Sequence, residues 1–156
     1  MSKSVRRVQA ALKAAHVDVD IVQTAGDTHT AAQAAAQAGC QIDQILKSII
    51  FRGDVSGRAV LFMTAGGSRV CPDKASTLAG ERLGKADAAF IRAQTGFAIG
   101  GVAPIGHISE ITSFFDQRLL EFDVIWAAAG TPRHVFRIDP RILQEISTSQ
   151  AAVFTL

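Results

Sequence analysis

The chain has 156 residues, of which 48% are hydrophobic, and its formal net charge is +2. This length and composition predict one globular domain, residues 1–156, with enough apolar side chains for a full core. A net charge so close to zero excludes a strongly basic nucleic-acid binder, although the arginines could still share one face or lie scattered over the surface.

The first seventeen residues, MSKSVRRVQAALKAAHV, lack the apolar run of a signal peptide. No segment reaches the roughly 20 apolar residues that are needed to span a bilayer. We therefore expect a cytoplasmic protein with no membrane partner. Cys40 and Cys71 have no metal-ligand spacing and form no C-x-x-C pair, so we expect reduced cysteines and no bound metal.

The predicted elements begin with an amphipathic helix over residues 3–15, where apolar side chains recur at helical spacing. Alternation of polar and apolar residues predicts a strand over 18–22. Thr30 is placed to cap an Ala-rich helix over 31–38, which Gly39 can end in the left-handed conformation.

The middle of the chain predicts a hairpin, because the β-rich runs 45–52 and 59–64 are joined by a short turn that contains glycine. Asp73 is expected to cap a helix that ends near Gly84. A shorter helix follows over residues 88–94.

The last third predicts two strands, 121–129 and 135–138, and then a helix to about Ser147. Asp139-Pro140 is a strong helix start, since Asp caps and Pro suits the first helical position. A final strand is expected over 151–155.

Short strands mixed with helices, without regular βαβ alternation, favour a mixed sheet or barrel over a doubly wound fold. We expect an α/β (α+β) fold with a mixed, largely antiparallel, barrel-like sheet and helices packed around it. The chain has neither G-x-G-x-x-G after a strand nor G-x-x-x-x-G-K-[ST], so the common nucleotide phosphate loops are not supported.

Lys47 interrupts an apolar run that extends from Ile45 to Phe51. In a strand, its side chain shares a face with Ile45, Ile49 and Phe51. Because desolvating an ammonium group is costly, Lys47 either points into a polar cavity or marks the rim of the strand. The alternative is an edge lysine that extends to solvent.

Residues 95–107, TGFAIGGVAPIGH, contain four glycines and a proline among apolar residues. Such a loop allows close approach to a ligand and can aim backbone N–H groups at a carbonyl or a developing oxyanion. A tight structural crossover is the alternative. His29 and His107 are candidate pocket residues, whereas His16 and His134 look peripheral. No G-x-S-x-G elbow supports a serine hydrolase.

Together these motifs resemble the YbaK/ProX family, the free-standing relatives of the editing domain inserted in bacterial prolyl-tRNA synthetases. The resemblance begins at residues 30–35 and continues through the lysine-bearing segment 44–51. It is most specific over 95–107, and it ends with 127–130 and the helix that starts at Asp139-Pro140.

The resemblance implies hydrolysis of mischarged aminoacyl-tRNA without a cofactor or a metal, with tRNA as partner and an aminoacyl-tRNA synthetase as a second one. Lys47 matches the essential lysine, which is thought to hold the 3′-terminal nucleotide through its phosphate. The backbone of Gly100 and Gly101 would bind the substrate while water or a substrate hydroxyl attacks. The residues expected around the substrate are Ile21, His29, Thr30, Ser48, Val102, Ala103, Pro104, Ala128, Gly130 and Val135.

Three departures from the family bear on specificity. Ser48 stands where relatives carry Asn or Thr, Ala128 where some place a polar residue, and Val135 where cysteine-directed members are acidic. A pocket of Ile21, Thr30, Ala128 and Val135 would suit a small amino acid. Two alternatives to an editing enzyme are a non-catalytic module that binds tRNA ends or a synthetase, and a hydrolase of other acyl esters.

Overall fold

The computed structural model describes residues 2–156, which form five α-helices and eight strands in two sheets. The helices are α1 (Lys3–Ala14), α2 (Ala31–Ala38), α3 (Pro72–Ala79), α4 (Ala88–Thr95) and α5 (Pro140–Ile146). The strands are β1 (Ile21–Gln23), β2 (Leu46–Gly53), β3 (Ala59–Ala65), β4 (Leu83–Lys85), β5 (Thr112–Asp116), β6 (Ile125–Ala128), β7 (His134–Ile138) and β8 (Gln150–Ala152). Two 3-10 helices, Ile42–Gln44 and Gln117–Glu121, precede β2 and follow β5.

The larger sheet has the order β4-β2-β3-β5-β8, and the smaller one has the order β1-β7-β6. Four of the six strand pairings are antiparallel, whereas β3–β5 and β5–β8 are parallel. The expected mixed and largely antiparallel α/β architecture is therefore confirmed.

The expected closure into a barrel is wrong, because within residues 2–156 the backbones of the two sheets pair at only one isolated bridge, between Ile45 and Trp126. The far end of the same β2 edge pairs instead with β4, over Phe51–Gly53. Between these two contacts β2 has no strand partner on that edge within residues 2–156. The sheets therefore diverge there and leave an opening.

The larger sheet separates two apolar cores. The main core lies between the two sheets and includes Leu46, Met63 and Phe136, with Val8 of α1 packed into it. The second core lies on the other face and is built around Phe62. This layering fixes which face of β2 each residue occupies.

Local signals determine the helix ends as expected. Thr30 and Gln33 form a reciprocal capping box at the start of α2, and Gly39 ends that helix with φ +70°. Asp139 accepts a hydrogen bond from the Arg141 backbone N–H at 2.9 Å and so caps α5. The helices over 3–15 and 88–94 and the central hairpin are likewise confirmed.

One helix prediction is wrong. The helix that we expect Asp73 to cap and that should end near Gly84 instead begins at Pro72, with Cys71 in the N-cap position, and already ends at Ala79. Gly80, with φ +78°, turns the chain out of the helix, and Gly84 lies in β4.

Strand boundaries agree less well with expectation. The strand expected over 18–22 covers only Ile21–Gln23, and the long run 121–129 contributes only Ile125–Ala128. Strand β5 has no counterpart among the predicted elements. Its last four residues are buried, so it lacks the alternating pattern that reveals a half-exposed strand. None of the helices within residues 2–156 has the length and apolar character needed to cross a bilayer.

We predict that Phe62→Ala lowers the free energy of unfolding by about 3–5 kcal/mol, the usual cost of deleting a buried ring. The Phe62 ring is fully buried and lies 5.3 Å from the Phe114 ring and 5.0 Å from the Phe154 ring, centroid to centroid. Urea denaturation measures the change. The control Val55→Ala, at an exposed turn position, should change stability by less than about 0.5 kcal/mol. Equal effects would contradict the assignment of Phe62 to the centre of the second core.

Candidate functional site

A cleft of about 980 Å³ occupies the opening between the two sheets. Its walls come from the unpaired edge of β2, from β6 and its following turn, from α2 and from the loop after α4. Its lining includes Lys47, Ser48, His29, Thr30, Gly100, Val102, Ala128 and Val135, all expected from the sequence. Residues from four separate parts of the chain thus meet in one concavity of a size typical of ligand sites.

Lys47 lies at the start of β2, opposite Thr64 of β3. As expected for a strand, it shares a face with Ile49 and Phe51, which pack against the second core. Its ammonium is only half-buried and donates a hydrogen bond of 2.5 Å to the backbone carbonyl of Ser68. The charge therefore sits where the apolar cover of β2 ends and the cleft begins.

Residues 65–68, the anchor turn, supply this carbonyl directly after β3. The Ser68 N–H closes the turn by donating to the Ala65 carbonyl at 3.0 Å. Gly66 lines the cleft, and a Cβ there would lie 2.2 Å from the Ile42 carbonyl oxygen. Only glycine allows the turn to lie this close to the 3-10 helix Ile42–Gln44.

Two carboxylates hold the anchor turn. Asp43 accepts from the Gly67 N–H at 2.8 Å, and the buried Asp116 accepts from the Ala65 N–H at 3.0 Å. Arg118 connects both: its Nε donates to Asp43 at 2.9 Å, and its backbone N–H donates to Asp116 at 3.0 Å.

The charges around Lys47 act in opposite directions. Partial burial lowers the pKa of Lys47, the nearby Arg69 lowers it further, and Asp43 and Asp116 oppose both effects. The hydrogen bond from Arg118 is the main reason why the pKa of Asp43 lies below its usual value. The site therefore keeps an ionised carboxylate beside a cation whose charged form is destabilised.

The glycine loop contributes Gly100 to the lining of the cleft. Gly100 is exposed, has φ +89°, and its backbone N–H has no acceptor within residues 2–156. The Gly101 N–H instead donates to the Ala98 carbonyl at 3.0 Å. A Cβ on Gly101 would lie 2.7 Å from the Cα of Thr131, so this glycine permits the loop to pack against the turn after β6.

Two histidines, His29 and His134, also line the cleft. His29 is largely exposed and faces Asp27, with 3.7 Å between its Nε2 and the carboxylate. His134, which looked peripheral in the sequence, lines the cleft. The Thr131 hydroxyl accepts from the Arg133 N–H at 3.1 Å and also forms a hydrogen bond of 2.7 Å with Nδ1 of His134. This contact fixes the orientation of the imidazole ring in the wall of the cleft.

Several of the expected substrate residues lie outside the cleft. Ile21 pairs with Phe136 and packs against the main core, and Gly130 is buried against Ser4. Ala103 is fully buried, and Pro104 lines a separate cavity of about 620 Å³.

His107 also lines that second cavity. Its Nε2 donates to the Ala103 carbonyl at 2.7 Å, and burial lowers the pKa of its imidazole. Its position therefore supports a structural role within the glycine loop.

Sequence reasoning did not identify Trp126, the only tryptophan of the chain, which lines the cleft from β6. It lies two residues before Ala128, and strand periodicity places both on one face. The Arg137 guanidinium of the neighbouring strand lies 5.9 Å from the centroid of the Trp126 ring. Within residues 2–156, no cluster of three or more His, Cys, Asp or Glu side chains could hold a metal ion.

The model of the aminoacyl-tRNA editing domain family matches residues 25–146, more than half of the chain. This range contains every cleft residue named above. The chain is also similar to the uncharacterized protein YwhH of Bacillus subtilis (strain 168). The two are 28% identical over 131 residues, which cover 84% of this chain and 83% of that protein.

Two solved structures share the whole fold. A "putative trans-editing enzyme for prolyl tRNA synthetase" has a TM-score of 0.92 and 39% identity, covering 100% of this chain and 99% of that one. The hypothetical protein APE2540 has a TM-score of 0.89 and 25% identity, covering 96% of this chain and 99% of that one.

We predict that the stability of the wild type increases relative to that of Lys47→Met as the pH rises from 7 to 10.5. The folded protein lowers the pKa of Lys47, so the unfolded chain binds the proton more tightly. Stability then rises with pH between the folded and unfolded pKa values and is lowest below both. Urea denaturation of both proteins at each pH measures the difference, and a difference independent of pH would contradict the lowered pKa.

Proposed function

Because the chain belongs to the family of aminoacyl-tRNA editing domains, we propose that it hydrolyses mischarged aminoacyl-tRNA in trans, with preference for a small amino acid. The observation that carries this proposal is the meeting of the Lys47 ammonium and the free Gly100 N–H in one cleft. We place the activity in the cytoplasm, with aminoacylated tRNA as the substrate and an aminoacyl-tRNA synthetase as a candidate partner.

In the proposed complex, Lys47 binds the phosphate of the 3′-terminal nucleotide through its ammonium charge. This contact fixes the ribose and the ester relative to the protein. Fixing the reacting groups in this way lowers the barrier because the entropy of orientation is lost on binding rather than in the reaction. The neighbouring Ser48 hydroxyl lines the same wall and is available to the sugar.

Gly100 donates its backbone N–H to the ester carbonyl oxygen as negative charge develops there. We assign this role to Gly100 rather than to Gly101, since the N–H of Gly101 already has an internal acceptor. Gly101 instead supports the loop against the turn at Thr131. Val102 and Ala128 form apolar walls beside this position.

Water attacks the ester carbonyl carbon, the bond from this carbon to the ribose oxygen breaks, and the proton that the water loses is balanced by the proton that the ribose oxygen takes up. If the neighbouring ribose hydroxyl attacks first, it only moves the ester to its own oxygen, and water then releases the amino acid from there. The products are a free amino acid and a tRNA with its terminal hydroxyl restored. No covalent link to a protein side chain is required.

The amino acid side chain occupies the part of the cleft bounded by Thr30, Ala128 and Val135. Both Ala128 and Val135 are uncharged, which disfavours a charged or strongly polar side chain. Ile21 takes no part in this pocket, because it packs against the main core.

We expect Lys47→Ala to lower kcat/KM for deacylation at least about a hundredfold, since misplacement of a substrate by about 1 Å costs a factor of this size. The substrates are tRNAs charged with Ala, Ser, Thr, Cys and Pro, and released amino acid is measured. Lys13→Ala, an exposed lysine on α1 away from the cleft, serves as the matched control and should keep full activity. If the wild type hydrolyses none of these esters, the proposed deacylase activity is contradicted.

We expect the affinity for aminoacyl-tRNA to fall linearly on a plot of log K against log salt concentration, because phosphate contacts release counterions. Equilibrium binding of charged and uncharged tRNA at several salt concentrations measures the slope. Binding that is independent of salt would exclude the proposed phosphate contact. If the protein binds charged and uncharged tRNA equally and hydrolyses neither, it is a binding module. If it hydrolyses free amino acid esters as fast as it hydrolyses aminoacyl-tRNA, it is a general esterase.

A further inference from the structure

We propose that Arg118 is a positioning residue for Lys47. It acts through the Asp43 carboxylate, which it holds against the anchor turn, and the Ser68 carbonyl of that turn fixes the direction of the Lys47 ammonium. This inference deepens the proposed function, because it assigns the orientation of the phosphate-binding group to a residue outside the cleft.

The contacts form a continuous chain from Arg118 to Lys47. Arg118 Nε donates to one oxygen of Asp43 at 2.9 Å, and the other oxygen accepts from the Gly67 N–H at 2.8 Å. Gly67 directly precedes Ser68, whose carbonyl accepts from Lys47. The Asp43 carboxylate uses both of its oxygens, so it is held at a fixed position and angle.

Arg118 itself is held in place by three further contacts. Its NH1 donates to Glu121 at 3.1 Å, its guanidinium carbon lies 4.7 Å from the centroid of the Phe122 ring, and its backbone N–H donates to Asp116. The Arg118 side chain is 38% exposed, and that of Asp43 is more buried, at 23%. A planar group with this many partners has little freedom, which makes it suited to fix the orientation of a carboxylate.

The anchor turn has two separate supports, Asp116 at Ala65 and Asp43 at Gly67. The backbone N–H of Arg118 keeps its bond to Asp116 whatever the side chain, so the support of Ala65 survives a substitution at residue 118. Only the support of Gly67 through Asp43 is lost. A side-chain variant therefore loosens the Ser68 end of the anchor turn while the rest of the strand is retained.

The test compares Arg118→Gln, Arg118→Lys and Asp43→Asn with the wild type in single-turnover and steady-state deacylation. We expect Arg118→Gln and Asp43→Asn to lower kcat about tenfold, within the range that misplacement causes, and to change KM by less than about twofold. KM is little affected because the Lys47 charge remains near the phosphate. Arg118→Lys keeps one donor and should recover part of the loss.

Arg82→Gln is the matched control, since Arg82 forms an exposed ion pair with Asp54, at 3.9 Å, away from the cleft. It should leave kcat unchanged. Circular dichroism and thermal melting identify any variant that has lost its fold, and activities are compared at a temperature where all proteins are folded. A folded Arg118→Gln with wild-type kcat would overturn the inference.

A second readout needs no activity. Lys47 is acylated with a limiting amount of an amine reagent, and its labelling rate is measured by peptide mass spectrometry with the exposed Lys13 as internal reference. Release of the ammonium from Ser68 should raise the Lys47 rate several-fold in Arg118→Gln and leave it unchanged in Arg82→Gln. Unchanged labelling in Arg118→Gln would overturn the inference even if the wild type hydrolysed no aminoacyl-tRNA, so the two proposals fail separately.

Discussion

The register of β2 ties the charge of Lys47 to the burial of Ile49 and Phe51. All three share one face of the strand, and the two apolar residues pack against the second core. A shift by one residue would turn these apolar side chains to the opposite face, so their burial fixes the register strongly. The position of the ammonium at the start of the strand follows from that register. Its half-buried environment then requires a polar partner at the same place, which Ser68 provides.

The cleft exists because β2 is paired incompletely on its outer edge. The bridge at Ile45 and the pairing that begins at Phe51 leave the intervening backbone without a strand partner in the described chain. Unpaired edges usually invite association with another strand. In this fold α2, β6 and the glycine loop surround the edge, and they turn it into the wall of a concavity. A closed barrel would have paired this edge and removed the opening.

How much of this could be predicted depends on how local each signal is. The cap of Thr30, the end at Gly39 and the apolar run around Lys47 lie within a few residues of the structure they specify, and the sequence reveals them. Arg118 and Asp43 are 75 residues apart, and their ion pair exists only because β5 lies beside β3. The hydrophobic periodicity of the sequence does not predict a contact between residues so far apart.

The errors have equally physical causes. β5 gives no alternating signal because both of its faces are covered. The place of His134 in the cleft depends on the β6–β7 pairing and on its contact with Thr131, which no local pattern specifies. The sequence identifies the glycine loop as a motif but does not specify the internal hydrogen bond of Gly101. That one hydrogen bond is the reason why we propose Gly100 as the donor to the substrate and Gly101 as a support of the loop.

The apolar lining also limits how the proposed enzyme could choose its amino acid. A wall such as Ala128 and Val135 excludes large side chains by volume, but a difference of one methylene in an apolar pocket is worth only about 1–3 kcal/mol. Stronger discrimination requires a polar group that is left unpaired by the wrong substrate. The Thr30 hydroxyl already accepts the capping bond from Gln33 and retains one proton to donate, and the imidazole of His134, held at Nδ1 by Thr131, is a second polar group in the cleft. Under the proposed function, selection among small amino acids therefore rests on these two polar groups, while the apolar walls set the upper size limit.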